Sequence, residues 1–433
     1  MITGAHEVPA VRRPGPPPPE EPGGPLLTSR GTVLLTVMAA WTAVPSVVAS
    51  PKLNWLITLL LLALVANALW WHGARLRPSG PVALVAVLLL CGTLSVAHFG
   101  TLADLATAAS AALLLLGCAV LAASAGPADV RRFSRGVMAI AVVQLVAATA
   151  SALLGTPAPW GYLGAAGSTF EVNQLLPELG GRATGTMAHP IPFGTLMAVS
   201  VLLALSPVLR WPLTLRLLAA AGGAFGVVLS GSRSAALALL VAVFVAALVP
   251  GALRVQPVAR TVVLLGAVVA LLTVEVGSLR VVTSLQGTGS LTHRLGALDA
   301  AERLAERPLA QTLLGSGTGS LRDLFDAGLL QLDGFFAVDN QFVATFATAG
   351  LVGALALIGL VAAGLLHGHR ATRPAALLMV AMFLSFDVLE WTATAVLTVV
   401  LLTLGTGRGL PEQDAARPST GAAPIAPDQA VLR

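Results

Sequence analysis

Twelve apolar runs separated by polar connections occupy most of the chain. Most of them are long enough to cross the hydrocarbon core of a bilayer, about 30 Å, as a helix of roughly 17–25 residues. The pattern therefore predicts an all-α fold, a polytopic membrane helix bundle with about 12 transmembrane helices. The runs lie near residues 33–50, 53–71, 81–98, 102–123, 134–154, 191–209, 213–230, 234–249, 260–277, 341–366, 375–390 and 391–407.

Polar segments divide the chain into three predicted parts. Residues 1–30 contain a proline- and glutamate-rich string without an apolar period, which predicts a disordered cytoplasmic arm. Residues 31–407 form the predicted transmembrane domain, and the Ala-, Pro- and Asp-rich residues 408–433 form a disordered cytoplasmic tail. Within the domain, two loops at about 155–190 and 278–340 are long enough to be functional.

Composition supports a membrane protein and excludes several other classes. The chain is 56% hydrophobic and only 10% charged, whereas soluble domains carry about 25% charged residues. A soluble enzyme, a disordered regulator and a nucleic-acid-binding domain are therefore excluded, and the lipid bilayer is the expected surroundings. The net charge of +5 does not indicate nucleic acid, because the basic residues lie in loops beside the membrane.

The distribution of basic residues predicts the orientation. If the N-terminus is inside and the twelve runs alternate, seventeen of the 25 Lys and Arg residues are inside. The positive-inside rule then predicts a multi-pass protein of the plasma membrane with both termini cytoplasmic. Both long loops are external in this orientation.

Several kinds of chemistry have no support in the sequence. The two cysteines, Cys91 and Cys118, lie inside apolar runs and are expected to be buried small hydrophobes. No CxxC, HExxH or GxxxxGK[ST] string occurs, so neither a metal site nor a nucleotide cofactor is expected. The glycine-rich string at 315–320 is not followed by lysine and is interpreted as a flexible turn.

External arginines are the main candidates for function. Arg233 lies in a tight external hairpin close to the hydrocarbon, where a cation is costly and usually functional; the alternative is snorkelling to lipid headgroups. Arg182 and His189 precede the next helix, and each also has an ordinary interpretation as a solvated or structural loop residue. Arg294 lies on an amphipathic segment, where a surface ion pair is the simpler interpretation.

Two carboxylate groups near external helix ends are further candidates. Asp339 and Asn340 stand where a long helix begins, so they suit helix capping, although Asp339 among arginines could also be a general base. Asp387 and Glu390 are three residues apart near another external helix end. They suit either the proton or cation ligands of a transporter or a hydrated hairpin turn.

The longer external loop is predicted to contain short amphipathic helices. Leu291, Leu295 and Leu298 share one face of a helical segment that Pro308 ends, which predicts a helix on the outer membrane surface or capping the bundle. Asp299 and Arg303 are four residues apart and are expected to form a weakly stabilising pair.

Several segments, taken in order, resemble the O-antigen ligase and O-antigen polymerase superfamily. Residues 182–194 are similar to the family's arginine-glycine segment that leads into a helix, and Ser232–Ala235 opens the next helical pair. Asp339-Asn340, nine residues and then Gly350–Gly353 resemble the ligase signature of His-Asn, nine residues and Gly-x-x-Gly. Residues 308–319 resemble the family's proline- and glycine-rich stretch in its large external loop.

The resemblance implies a membrane glycan polymerase or ligase. Such an enzyme transfers an oligosaccharide from a polyprenyl diphosphate carrier to an acceptor glycan or lipid at the outer face of the plasma membrane, in cell-surface polysaccharide biosynthesis. It uses no nucleotide sugar and no cofactor, and typically no metal. The positions that match imply catalytic roles for Arg233 and Asp339, and diphosphate or sugar binding by Arg182, Arg294, His189 and Asn340.

Two positions depart from the family's pattern. Asp339 stands where ligases carry histidine, which favours the polymerase branch, and Ile191 replaces the asparagine often found after the His-Pro pair. The alternative function is a 12-helix secondary transporter or exporter. It predicts a repeat between the two halves, yet only the second half contains a loop of about sixty residues. A non-catalytic scaffold gives no reason for arginines at tight external hairpins.

Overall fold

The computed structural model describes residues 29–73, 76, 79–163, 172–249, 289–331 and 336–407. Within them the regular structure is helical, and the extended pairing consists of one bridge between Val172 and Gly181. The all-α prediction is confirmed in this part of the chain. The apolar run at 260–277, the tail at 408–433 and nearly all of the arm at 1–30 lie outside the described residues.

Fourteen α-helices are described. In chain order they are α1 (Arg30–Ala43), α2 (Pro51–His72), α3 (Gly80–Phe99), α4 (Leu102–Ala123), α5 (Pro127–Leu154), α6 (Pro190–Leu205), α7 (Leu213–Ser230), α8 (Arg233–Leu248), α9 (Gly289–Ala305), α10 (Leu309–Leu314), α11 (Leu321–Asp326), α12 (Gln341–His367), α13 (Arg373–Met382) and α14 (Thr392–Thr403).

Six of these helices are long and apolar enough to cross a membrane: α2, α3, α4, α5, α7 and α12. Helices α6, α8, α13 and α14 are apolar but shorter. The structure therefore supports a polytopic helix bundle, whereas the predicted number of twelve spans is not confirmed.

Helix α6 ends where the sequence interrupts the helical backbone. α6 ends at Leu205 because Ser206 precedes Pro207, and the residue before a proline avoids the helical conformation. α6 and α14 are buried along almost their whole length. Irregular backbone at membrane depth is tolerated where protein surrounds it, so short helices suit the centre of the bundle.

Close packing in the bundle depends on small residues. α6 packs most extensively against α7, and α3 against α12 and α4. A β-carbon at Gly226 of α7 would lie 2.5 Å from Met197 of α6, so glycine allows the two backbones to approach. By contrast, α2 exposes Leu56, Leu60 and Trp70, as expected of a helix that faces lipid.

The bundle has two polar ends. At the end that we call the proximal face, Asp129 at the start of α5 accepts from the Gly31 amide at 3.2 Å, and the Gly405 amide donates to Ala122 O at 2.9 Å. At the opposite end, the distal face, the Ser46 and Thr392 hydroxyls are 2.8 Å apart. The described parts of the two long loops lie at the distal face.

The loop helix α9 caps the bundle, which is one of the two predicted arrangements. Ala297, Ala300 and Leu304 are fully buried in a small cluster with α12, whereas Leu298 is 54% exposed. The contact with α12 is therefore made by this face and not by Leu298; the side chains of Leu291 and Leu295 lie outside the described set. Arg303 donates to Leu330 O at 2.7 Å, a backbone carbonyl and not its predicted carboxylate partner.

The glycine-rich string that follows α10 is not a free turn. It docks between α3 and α12, with the Thr318 amide donating to Gly92 O at 3.4 Å and the Ser95 hydroxyl donating to Leu314 O at 2.6 Å. α12 itself is broken at Gly350, where φ is 67° and ψ is −169°. The interpretation of a flexible turn is therefore wrong, because backbone hydrogen bonds hold this segment on two helices.

Candidate functional site

Arg182 and Arg233 come together at the distal face. The Arg182 Nε donates to Ser230 O, the last residue of α7, at 2.9 Å, and its guanidinium also hydrogen-bonds the Tyr162 hydroxyl. Burial lowers the pKa of Arg182; its attraction to Tyr162 opposes this effect, and the nearby cation of Arg233 lowers the pKa further. Two neighbouring cations repel each other, so an anion bound between them would be stabilised.

The tight α7–α8 hairpin determines where Arg233 lies. Gly231 ends α7 with φ 60°, and a β-carbon there would lie 2.9 Å from the Asn173 Oδ1. Ser232 then caps α8 by accepting from the Ala235 amide, so that Arg233 is the first helical residue. A helix N-terminus carries partial positive charge, which adds to that of the arginines.

The loop that carries Arg182 is fastened to the end of α7. The Asn173 Nδ2 donates to Val228 O at 2.8 Å, and the Ala183 amide donates to Leu229 O at 2.9 Å. On its other side, the Gln144 Oε1 accepts from the Thr186 amide at 2.8 Å. These bonds from α5 and α7 hold the arginine in a defined place.

His189 is a neutral hydrogen-bond donor beside the arginines. Its Nδ1 accepts from the Ile191 amide at 3.3 Å and so caps α6. Burial and the charge of Arg182 hold the pKa of His189 far below its usual range. Since Nδ1 is an acceptor in the neutral ring, Nε2 carries the proton and can donate to a ligand.

A second group of side chains gathers carboxylates at the same face. Asn340 caps α12, with its Oδ1 accepting from the Phe342 and Val343 amides at 2.9 and 3.2 Å. Asp339 precedes this cap and is half-buried. Hence Asn340, and not Asp339, is the capping residue of α12.

Asp387 lies near Asp339, although the two are far apart in sequence. Gln341 joins their segments, since its amide donates to Phe383 O at 2.7 Å and its Oε1 accepts from the Leu389 amide at 2.7 Å. Burial raises the pKa of Asp387 well above its ordinary value, and the charges of Glu390 and Asp339 raise it further. The neighbouring carboxylates of Glu390 and Asp339 therefore both favour the protonated form of Asp387.

Aromatic rings connect the two groups. The His189 ring lies 6.2 Å from that of Tyr162 and 5.1 Å from that of Trp391, between centroids. The Trp391 indole hydrogen-bonds the Asp387 carboxylate. We call Arg182, Arg233, His189 and Tyr162 the basic half of the site, and Asp339, Asp387 and Trp391 the acidic half.

Sequence reasoning did not identify Tyr162 or Trp391. Tyr162 is the single tyrosine of the chain, which was an available signal, whereas one tryptophan among seven gave none. Of the predicted site residues, the side chain of Arg294 lies outside the described set. Among the described residues, no group of three or more His, Cys, Asp or Glu side chains could hold a metal ion.

Comparison with known proteins matches one protein family to part of the chain. Residues 218–358 match the family model described as O-antigen ligase. The match includes Arg233, the docked glycine turn and Asp339, and it begins after Arg182 and His189. No curated protein matches the chain significantly. The match confirms the resemblance seen in the sequence and supports an O-antigen ligase or polymerase family assignment through the domain at residues 218–358.

Proposed function

We propose that this protein is a glycan polymerase or ligase of the plasma membrane. It transfers an oligosaccharide from a polyprenyl diphosphate carrier to an acceptor glycan or lipid at the outer face. The observation that carries the proposal is the placement of Arg182 beside Arg233 at the N-terminus of α8, on the same face as Asp339 and Asp387. The family match supports it independently.

The basic half suits the diphosphate of the donor. Arginine presents a planar fork of donors that matches phosphate oxygens, and helix N-termini bind anions. As the bond between the anomeric carbon and the diphosphate breaks, its electron pair leaves with the lipid diphosphate. Arg182, Arg233 and the His189 Nε2 proton would stabilise that developing charge. We assign Arg294, from α9, to the same diphosphate or its sugar.

The acidic half suits the acceptor. An acceptor hydroxyl attacks the anomeric carbon, and Asp339 orients it and takes its proton as the new glycosidic bond forms. Asp387 would assist, because a neighbouring carboxyl increases the affinity of the pair for that proton. Asn340 is engaged in capping α12 through its Oδ1, which leaves its amide nitrogen to contact a sugar. The reaction needs no cofactor.

The distal face would be the external one, with both termini cytoplasmic. The excess of arginine in segments connecting at the proximal face supports this orientation. Donor and acceptor would then meet outside the cell, where surface polysaccharide is assembled.

The deciding experiment is the length distribution of surface glycan and its lipid-linked precursors in a deletion strain. The strain is complemented with wild type, Arg233→Ala, or Arg322→Ala as a matched control. Arg322 lies on the same face but is exposed and pairs with Asp326 at 3.4 Å, so its loss should leave the glycan normal. Single repeat units on the carrier with Arg233→Ala indicate a polymerase, and full-length polymer on the carrier indicates a ligase. Normal glycan with Arg233→Ala at normal expression would refute both.

A further inference from the structure

The break in α12 creates a need for hydrogen-bond donors. Gly350 is non-helical within an apolar helix, so carbonyls in the preceding turn lose their usual partners. Because no water is available in the hydrocarbon region, the protein itself must supply donors there. The break also separates a short outer segment, Gln341–Ala349, from the rest of α12.

Arg307 supplies donors from the external loop. It is only 7% exposed, and it donates from Nη2 to Phe346 O and from Nη1 to Ala347 O, both at 3.0 Å. Its Nε donates to Leu304 O at 2.9 Å, at the end of α9. Its guanidinium also lies 5.6 Å from the centre of the Phe346 ring. One side chain thus fastens α9 to the outer segment of α12.

The glycine turn completes this attachment. The Ser316 amide donates to Ala347 O and the Gly317 amide to Thr348 O, both at 2.9 Å. A β-carbon at Gly350 would collide with Leu313 O, and one at Gly315 would collide with Thr348 O. Glycine at both positions therefore allows the two backbones to meet.

The outer segment of α12 connects this attachment to the acidic half. Its inner end is held by Arg307 and the glycine turn. At its outer end, Gln341 bonds both ends of the 383–389 stretch that contains Asp387. The basic half is built on α5, α6, α7 and α8, and Arg307 donates to none of these.

We infer that Arg307 is a positioning residue, which holds the outer segment of α12 so that Asp339 lies beside Asp387. Its kinetic consequence rests on the proposed function. Loss of Arg307 should slow transfer to the acceptor much more than it weakens diphosphate binding. Arg182 and Arg233 lie on segments that Arg307 does not contact, so only the contribution of Arg294, on α9, should change.

The test compares Arg307→Lys with Arg322→Lys, the same substitution at the exposed arginine of the same loop. Lysine is a point charge that cannot reproduce the fork of bonds. We expect turnover to fall about tenfold in Arg307→Lys, as for the loss of a hydrogen bond to a charged group, with a much smaller loss of affinity for polyprenyl diphosphate in nanodiscs. Hydrogen exchange should increase at 309–319 and 341–349 and not at 230–235. Arg322→Lys should match wild type.

Each outcome is decisive. Unchanged exchange at 341–349 in Arg307→Lys, or weakening of diphosphate binding equal to the loss of turnover, would overturn the inference. If that variant does not fold, Ser316→Ala removes one acceptor of Arg307 at 2.8 Å and should show the same pattern more weakly. If the wild type transfers no glycan, the proposed function fails, while the exchange measurement still decides whether Arg307 holds this segment.

Discussion

Arg216 at the proximal face and Arg182 at the distal face have different surroundings. Arg216 donates to Ala204 O at 3.0 Å and so covers a carbonyl at the end of α6. Arg373, at the same face, donates to Gly368 O and Leu366 O at 2.9 and 2.7 Å, and Arg370 is a neighbouring cation. At the distal face, Arg182 covers Ser230 O in the same way, but it also lies beside Arg233.

The difference separates stabilising arginines from those proposed to bind substrate. A cation at a helix C-terminus is favoured by the dipole and by the unpaired carbonyls. A second cation nearby gives no such stabilisation and raises the free energy of the site until an anion binds. A neighbouring cation is not sufficient by itself, since Arg370 lies near Arg373 at the proximal face. The distal pair also lies at the N-terminus of α8, on the face that carries Asp339 and Asp387.

The largest effects are expected when Arg182 and Arg216 are each replaced by alanine. Arg182→Ala should lower transfer by about a hundredfold or more, as when a donor to developing charge is removed. Its melting temperature should fall less than that of Arg216→Ala, because the lost bond to Ser230 O is offset in part by relief from the charge of Arg233. Arg216→Ala should lower the melting temperature, because carbonyls at the end of α6 lose their donor, while the folded fraction keeps its turnover. A thermal-shift and transfer assay on both variants checks this. If Arg216→Ala lost transfer and Arg182→Ala lost mainly thermal stability, the distinction drawn between these two arginines would be wrong.

A second prediction concerns the acidic half. The pKa of Asp387 is raised above its ordinary value of 3.8, so the folded state binds its proton more tightly than the unfolded state. Stability should therefore fall as pH rises from about 4 through the raised pKa, and Asp387→Asn should remove that part of the dependence. We expect roughly tenfold to hundredfold slower transfer in this variant. Melting temperature and rate are measured against pH.

The control for Asp387 is Asp326→Asn, an exposed carboxyl of the same face, which should retain the wild-type profiles. Identical pH profiles for Asp387→Asn and wild type would contradict the assignment of Asp387 to the acidic half.

The smallest effect is expected at Tyr162. Tyr162→Phe keeps the ring beside His189 and removes the hydroxyl that hydrogen-bonds Arg182. Transfer should fall about fivefold to tenfold, in line with one hydrogen bond to a charged group. Trp160→Phe is the matched control, because it removes a neighbouring bond to Ala43 O at 2.7 Å without touching Arg182. An equal loss of transfer in the two variants would show that the effect comes from a change in loop conformation and not from the bond to Arg182.

The sequence predicts the parts of this molecule that depend on local patterns. Apolar periodicity gives the all-helical bundle, and an arginine in a tight hairpin draws attention to Arg233 in the absence of any structure. Proline positions could have shown that α1 and α6 are short, but the lengths of the apolar runs at 33–50 and 191–209 predicted helices that cross the whole membrane. Periodicity did not identify the face of α9 that packs on α12, because that face consists of Ala297, Ala300 and Leu304, whereas Leu298 is exposed.

Contacts between distant segments could not be predicted in this way. Asp339 and Asp387 are separated by α12 and α13, and neither residue's neighbours indicate that the two carboxyls interact. Likewise, nothing in the glycine string at 315–320 shows that it meets Gly350. Such pairs follow from how helices pack, which a single sequence does not specify by its periodicity.

The docking of the glycine turn between α3 and α12 also bears on how the protein is made. α3 ends at Phe99 and α12 at His367, so its partner emerges roughly 270 residues later. At about 5–20 residues per second this delay is on the order of 15–50 s. During that time the distal half of α3, with Gly92 and Ser95, lies in the membrane without α12, the helix against which it packs most extensively. Completion of the bundle is thus a late event in biosynthesis, and a nascent chain released before α12 should be a preferred substrate for membrane quality-control proteases.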